Sequence, residues 1–113
     1  MCPRFQVAVD ILGRRWTGLV VWALSEGPRR FGELAQRLEV VSERMLSERL
    51  KELELEGVVA RQVFAETPVR IEYSLTEKGR GLVTVLQSVG QWAEKWVELP
   101  VDELALKKKR RAR

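Results

Sequence analysis

Apolar positions at helical spacing mark the first part of the chain. Phe5, Val9 and Leu12 form one stripe, which predicts a helix that ends at Gly13. Residues 16–25 are apolar almost all round, and a helix with that pattern is expected to be buried on most sides. A Glu-Gly-Pro segment follows and predicts a break, because glycine and proline do not continue a helix.

Two further helices are predicted after this break. Residues 30–38 place their apolar side chains on one face, and a short connection leads to Ser42, a residue type whose hydroxyl caps helices. The next helix runs to about residue 56, and its apolar positions are Leu46, Leu50 and Leu53. Two helices joined so closely are typical of a helix-turn-helix.

The apolar period then changes from helical to alternating. Residues 69–75 alternate strictly, which predicts a half-buried strand with Val69 on its apolar face. Residues 58–65 are rich in β-branched side chains, and the Glu-Thr-Pro segment at 66–68 supplies a turn. The two segments predict a hairpin whose register is left open.

A long final helix is predicted after the hairpin, with Thr76 as its cap. Gly79 and Gly81 in its first turns are unfavourable for a helix, so we expect their backbone to lie close to a neighbour. The order of elements predicts a mainly α fold with a small antiparallel β-hairpin wing, a winged helix-turn-helix. In such a unit the second helix lies in the major groove of DNA.

Composition excludes several other classes of protein. The 113 residues fit one domain, and the absence of histidine with a single cysteine excludes zinc fingers and histidine-based acid–base catalysis. The chain has no glycine-rich phosphate loop and no apolar run long enough to cross a bilayer. We therefore expect no enzyme, no metal, no cofactor, no membrane partner and a cytoplasmic location.

The positive charge is concentrated at one end. The formal net charge is +4, but six of the 20 basic residues lie in the last seven positions, which contain no acid. The 16 acidic residues outnumber the basic residues of the remaining chain. We expect residues 101–113 to form a basic flexible tail, either an arm on DNA phosphates or a solubilising extension.

Six segments resemble the HxlR-type regulators, winged-helix transcription factors of the MarR-like superfamily. In chain order the segments are Cys2-Pro3, Gly13-Arg14-Arg15-Trp16-Thr17, Arg30-Phe31-Gly32-Glu33-Leu34, Ser42-Glu43-Arg44-Met45-Leu46-Ser47, Leu50-Lys51-Glu52-Leu53-Glu54, and the run from Pro68 to Gly79. The resemblance implies a homodimeric DNA-binding regulator whose first and last helices form the dimer interface. It implies one domain over residues 1–100, with a helix-turn-helix at about 30–57, a wing at about 58–75 and a dimerisation helix at about 76–99.

The polar side of the fourth helix carries the main candidates for DNA binding. Arginine can bond guanine, serine either base, and glutamate cytosine. The candidates are Ser42, Arg44, Ser47, Glu48 and Lys51. Two acids on this side leave an alternative open, a winged-helix module that binds proteins without specific DNA binding. Arg49 is instead expected to flank the core or to pair with a neighbouring acid.

Three further arginines are candidates outside this helix. Arg29 and Arg30 begin the third helix, where a phosphate would meet positive charge and free amides, although an ordinary exposed pair fits equally. Arg70 follows the turn of the wing and can reach a phosphate or a narrow minor groove. The alternative for Arg70 is an ion pair with Glu66 or another acid of the hairpin.

An apolar stripe on the last helix predicts a homodimer on a pseudo-palindromic operator, because a small domain already has its core elsewhere. The predicted interface residues are Phe5, Val9, Val85, Val89, Trp92 and Trp96.

Cys2 lies where some members of the resembled family sense oxidants or electrophiles. A small-molecule or oxidant effector is therefore one hypothesis, and an unreactive terminal cysteine is the other.

Overall fold

The computed structural model describes residues 2–99, which form five helices and one two-stranded antiparallel sheet. The predicted winged helix-turn-helix fold is confirmed. Residues 101–113, the predicted tail, lie outside the described residues. The elements are α1 (Pro3–Gly13), α2 (Thr17–Leu24), α3 (Phe31–Arg37), α4 (Glu43–Leu55), β1 (Val59–Phe64), β2 (Arg70–Leu75) and α5 (Glu77–Trp96).

The α2 helix lies at the centre of the domain. It packs against α1, α3, α4, β2 and α5, and its Val20 and Val21 side chains are fully buried. Leu34 of α3 and Leu46 and Leu50 of α4 complete the core on the side of the helix-turn-helix. Every other helix therefore takes its position from α2.

The expectation that α2 is buried on most sides is confirmed by five buried residues of its eight, but one side stays open. Leu19 is 43% exposed and Trp22 is 46% exposed, three positions apart on one side of the helix. The helix also starts one residue later than predicted, because Trp16 has a left-handed backbone with a φ of 75°. The bend at Trp16 sets the direction of α2 relative to α1. One apolar side of α2 stays exposed.

Local capping sets the ends of the helix-turn-helix as predicted. The Met45 N–H donates to the Ser42 hydroxyl oxygen at 3.1 Å, so Ser42 caps α4. Leu46, Leu50 and Leu53 are buried on the opposite side of α4 from the exposed Arg44, Glu48 and Lys51. The polar side of α4 is thus directed away from the core.

The wing is a hairpin with a defined register, in which Val59 pairs with Leu75 and Phe64 with Arg70. Val69, predicted on the half-buried face, lies outside β2 and is exposed. Backbone bonds join Arg29 to Tyr73, at 2.9 and 2.8 Å, and attach the segment before α3 to the wing. The wing is therefore hydrogen-bonded to the start of the helix-turn-helix, in addition to following it along the chain.

The start of α5 is fastened to the end of α4. The Thr76 hydroxyl donates to the Gly57 carbonyl oxygen at 2.5 Å and accepts from the Gly79 N–H at 3.1 Å. A Cβ atom on Gly79 would lie 2.2 Å from the Val58 carbonyl oxygen, so the predicted close approach is confirmed there. It is wrong for Gly81, where a Cβ would have no neighbour within 4 Å.

These two glycines make a matched pair for a stability measurement. We expect Gly79→Ala to lower the free energy of unfolding by about 3 kcal/mol, because the backbone carbonyl of Val58 cannot give way cheaply. Gly81→Ala should raise it by about 1 kcal/mol through helix propensity. Urea unfolding at one protein concentration measures both, and equal effects of the two variants would contradict the close approach.

Candidate nucleic-acid interface

The exposed side of α4 presents a mixture of basic, acidic and hydroxyl side chains. Arg44 is 90% exposed, and its Nε lies 3.6 Å from Glu48 Oε1. An exposed ion pair of this kind is weak, so Arg44 can exchange it for another partner. Lys51 is exposed and Ser47 is half-buried, and neither makes a side-chain hydrogen bond or ion pair within residues 2–99.

The opposite edge of α4 is anchored. Arg49 Nε donates to the Arg15 carbonyl oxygen at 2.7 Å, and its Nη1 lies 3.1 Å from Glu52. Arg14 lies 3.6 Å from both Glu52 and Glu56. The expectation that Arg49 pairs with a neighbouring acid is confirmed. The corner between α1 and α2 contacts α4 through Arg14 and the Arg15 carbonyl.

Arg29 and Arg30 have different environments. Arg29 lies 3.0 Å from Glu26 and 3.8 Å from Glu33, and its buried Nε has no hydrogen-bond partner. The Arg30 N–H donates to the Glu33 carboxylate, while the Arg30 residue itself is exposed beside α3. Arg30 is thus the more accessible of the two predicted phosphate ligands.

Arg70 is held by the acids of its own hairpin. Its guanidinium lies 3.0 Å from Glu66 and 2.5 Å from Glu72, and it stacks on the Phe64 ring at 3.8 Å. Hydrogen bonding to Arg70 lowers the pKa of Glu66 below its ordinary 4.5, and the same bond raises the pKa of Arg70. The ion-pair alternative is therefore present, and a role of Arg70 on DNA stays a prediction.

The sequence reasoning missed Arg61, an exposed arginine on β1. It pairs with Tyr73 in the register of the wing and makes no ion pair within residues 2–99. Its position in a β-branched segment gave no signal, because the alternation of β1 is irregular. Arg61 is a further cation on the wing.

The predicted dimer residues are all exposed in the single chain. Trp92 and Trp96 are 61% and 64% exposed, although large aromatic side chains are seldom left so open to water. The other four residues, Phe5, Val9, Val85 and Val89, are also exposed. Their assignment to a dimer interface stays a prediction. The observation that supports it is an exposed apolar surface.

A groove of about 940 Å³ lies between the end of α1, α2 and the middle of α5. Sequence reasoning missed its floor, because an all-round apolar helix gives no sign of which side stays open. The apolar lining residues are Leu12, Trp16, Leu19, Trp22, Leu86 and Val89. The groove continues the exposed stripe of α5 onto α2.

Cys2 is exposed and immediately precedes α1 as its N-cap residue. Residues 2–99 contain no group of three or more His, Cys, Asp or Glu side chains that could hold a metal ion, and none of the helices formed by these residues could cross a membrane. The thiol is therefore accessible to small molecules.

Comparison with known proteins places the chain in a class. The pattern of the HxlR-like helix-turn-helix family matches residues 11–100. The chain belongs to this family of DNA-binding transcriptional regulators.

Relatives from Bacillus subtilis strain 168 are similar over most of their length. The uncharacterized HTH-type transcriptional regulator YvaP is 57% identical over 98 residues, which are 87% of this chain and 91% of YvaP. The reduced form of the transcriptional regulator YodB has a TM-score of 0.80 and 47% identity, covering 87% of this chain and 96% of that chain. Quinone-bound YodB has a TM-score of 0.75 and 43% identity, covering 85% and 100%.

Proposed function

We propose that this chain acts as a homodimer on a pseudo-palindromic operator and reads it with α4. The observation that carries the proposal is the asymmetry of α4, which is anchored through Arg49 and leaves Arg44 exposed, with a weak ion pair to Glu48. An anchored helix positions base-reading side chains at little entropic cost. Such a regulator needs no catalytic activity and works in the cytoplasm, where the chromosome lies.

Within this proposal the candidate residues have different roles. Arg44 and Ser47 read base edges, with Glu48 able to accept from cytosine N4. Ser42, Arg30 and Lys51 contact phosphates, which position the protein but carry no base sequence. Arg29 and Arg70 contact DNA only if a phosphate displaces their acids, so we assign them mainly to holding the wing and α3.

The groove and the exposed stripe of α5 support the proposed dimer. A second copy of the chain covers both, and the two α4 helices then face successive turns of the major groove, roughly 34–36 Å apart. The α2 side chains Leu19 and Trp22 belong to this interface along with α1 and α5.

Selection from a random pool of duplexes tests DNA reading directly. We expect an enriched inverted repeat, and Arg44→Gln should weaken binding to it by about tenfold or more, since a base contact contributes roughly 1–3 kcal/mol. Binding of a scrambled duplex should change less. Lys95→Gln, the same loss of charge on the last turn of α5, is the control. A folded dimer that enriches no sequence would favour the protein-interaction alternative.

Trp22→Gln tests the dimer. An aromatic side chain at the centre of an interface typically contributes 2 kcal/mol or more, so the dimer dissociation constant should rise by about 30-fold or more. Analytical ultracentrifugation measures it. Leu55→Gln is the control, because Leu55 is also apolar and even more exposed but lies at the end of α4, outside the groove. A similar change in both variants would argue against this interface.

Cys2 gives the regulator a response to electrophiles in this proposal, supported by the quinone-bound structure of the similar YodB. The Cys2 sulfur adds to a ring carbon of a quinone, and the thiol proton ends on one ring oxygen. The hydrogen of the attacked carbon moves as a proton to the other ring oxygen, and the ring becomes a sulfur-substituted hydroquinone. This step needs no second cysteine, which suits a chain that has one.

We expect p-benzoquinone to add one molecule per chain and to lower operator affinity by about tenfold, within the usual range of coupling energies. Intact-mass spectrometry and a duplex-binding assay measure the two effects, and Cys2→Ser should show neither. An unmodified Cys2, or a modified protein with unchanged affinity, would leave the cysteine without this role.

A further inference from the structure

A second cavity shares no lining residue with the groove at Leu19 and Trp22. It has a volume of about 490 Å³, within the usual range for small-ligand sites, and lies between the end of α2, β2 and the first turns of α5. Nothing in the roles assigned above uses it.

The floor of this cavity is apolar and belongs to the core. Leu24 and Leu75 are buried, and Val83 of α5 is partly buried against them. A ligand with an apolar body would therefore rest on side chains that are already fixed by packing.

The charge of the cavity is of one sign. Arg80 is the one ionisable residue among those lining it, and no carboxylate within residues 2–99 forms an ion pair with Arg80. Its Nη1 donates to the Leu75 carbonyl oxygen at 3.2 Å, which leaves the other guanidinium N–H groups for a partner. Ser74, whose hydroxyl has no bond to a described residue, lines the same wall.

The walls are preformed. The loop through Gly27 and Pro28 is tied to β2 by the two backbone bonds between Arg29 and Tyr73. The α5 wall is held by the close approach of Gly79 to Val58. Binding of a ligand would therefore order few further residues and cost little conformational entropy.

We propose that this cavity binds a small organic monoanion, an apolar body with one carboxylate, whose carboxylate pairs with Arg80. One arginine above an apolar floor fits a single carboxylate, because the guanidinium offers two parallel N–H donors to its oxygens. A phosphate dianion would find one cation and few further donors in this lining.

The position of the site gives it a consequence for regulation, which rests on the proposed function. The ligand would contact both the wing strand β2 and the dimerisation helix α5. A ligand that prefers one arrangement of these elements shifts operator affinity, and operator binding must shift ligand affinity by the same factor.

The test is a titration of the isotope-labelled full chain with benzoate, cyclohexanecarboxylate and hexanoate, followed by amide NMR. At least one acid should give saturable shifts centred on Ser25, Ser74 and Val83, with a dissociation constant of about 1 mM or lower. Arg80→Gln should weaken binding by about tenfold or more, whereas Arg61→Gln, which removes an exposed arginine that does not line the cavity, should not. Benzyl alcohol, with a similar body but no charge, should bind more weakly than benzoate.

Three results would overturn the site: no saturable shift with any acid, shifts centred on the groove at Trp22 and Gly90, or equal effects of the two arginine variants. The regulatory step is tested by repeating the titration with operator-bound protein. An unchanged dissociation constant there would overturn the coupling alone. Failure of the proposed function would be seen separately, as a protein that selects no operator.

Discussion

One packing constraint at Gly79 joins the three working parts of this domain. The Val58 carbonyl oxygen accepts from the Thr76 N–H at 3.0 Å and leaves no room for a side chain on Gly79. Lys78 Nζ donates to the Glu56 carbonyl oxygen at 2.6 Å and so stabilises the end of α4. The recognition helix, the wing and α5 therefore meet at one point, and movement of α5 relative to α4 would break these bonds.

Charge on α4 is divided between structure and recognition. The anchored edge uses Arg49 and Glu52, and the Arg49 side chain is largely buried. The free edge uses Arg44, whose ion pair with Glu48 lies in water and costs little to exchange. This division explains how a helix with nearly balanced charge can serve on DNA: its Glu52 pairs with Arg14 and Arg49, and its cations Arg44 and Lys51 stay exposed.

Elements governed by local chemistry were predictable from the sequence, and surfaces governed by long-range contacts were not. The starts of α4 and α5 could be predicted from Ser42 and Thr76, because capping depends on a few neighbouring residues. The left-handed Trp16 carried no signal, since a bulky residue rarely adopts that backbone. The pairing of Arg14 with Glu52 joins residues far apart in sequence and became visible only in the fold. For Arg70 the sequence left two readings open, and the contacts within the hairpin show the ion pair.

The central position of α2 connects the two concave surfaces of the domain. Trp22 lines the groove, whereas Leu24 and Ser25 at the end of the same helix line the smaller cavity, and Ser25 donates to the Trp22 carbonyl oxygen. The buried side of α2 packs against α4. A packed interior passes on small displacements, because it has no free volume in which to absorb them. Both surfaces are therefore lined by the helix that supports α4. Any coupling between dimer formation and ligand binding must then be reciprocal, with α2 as the shared element.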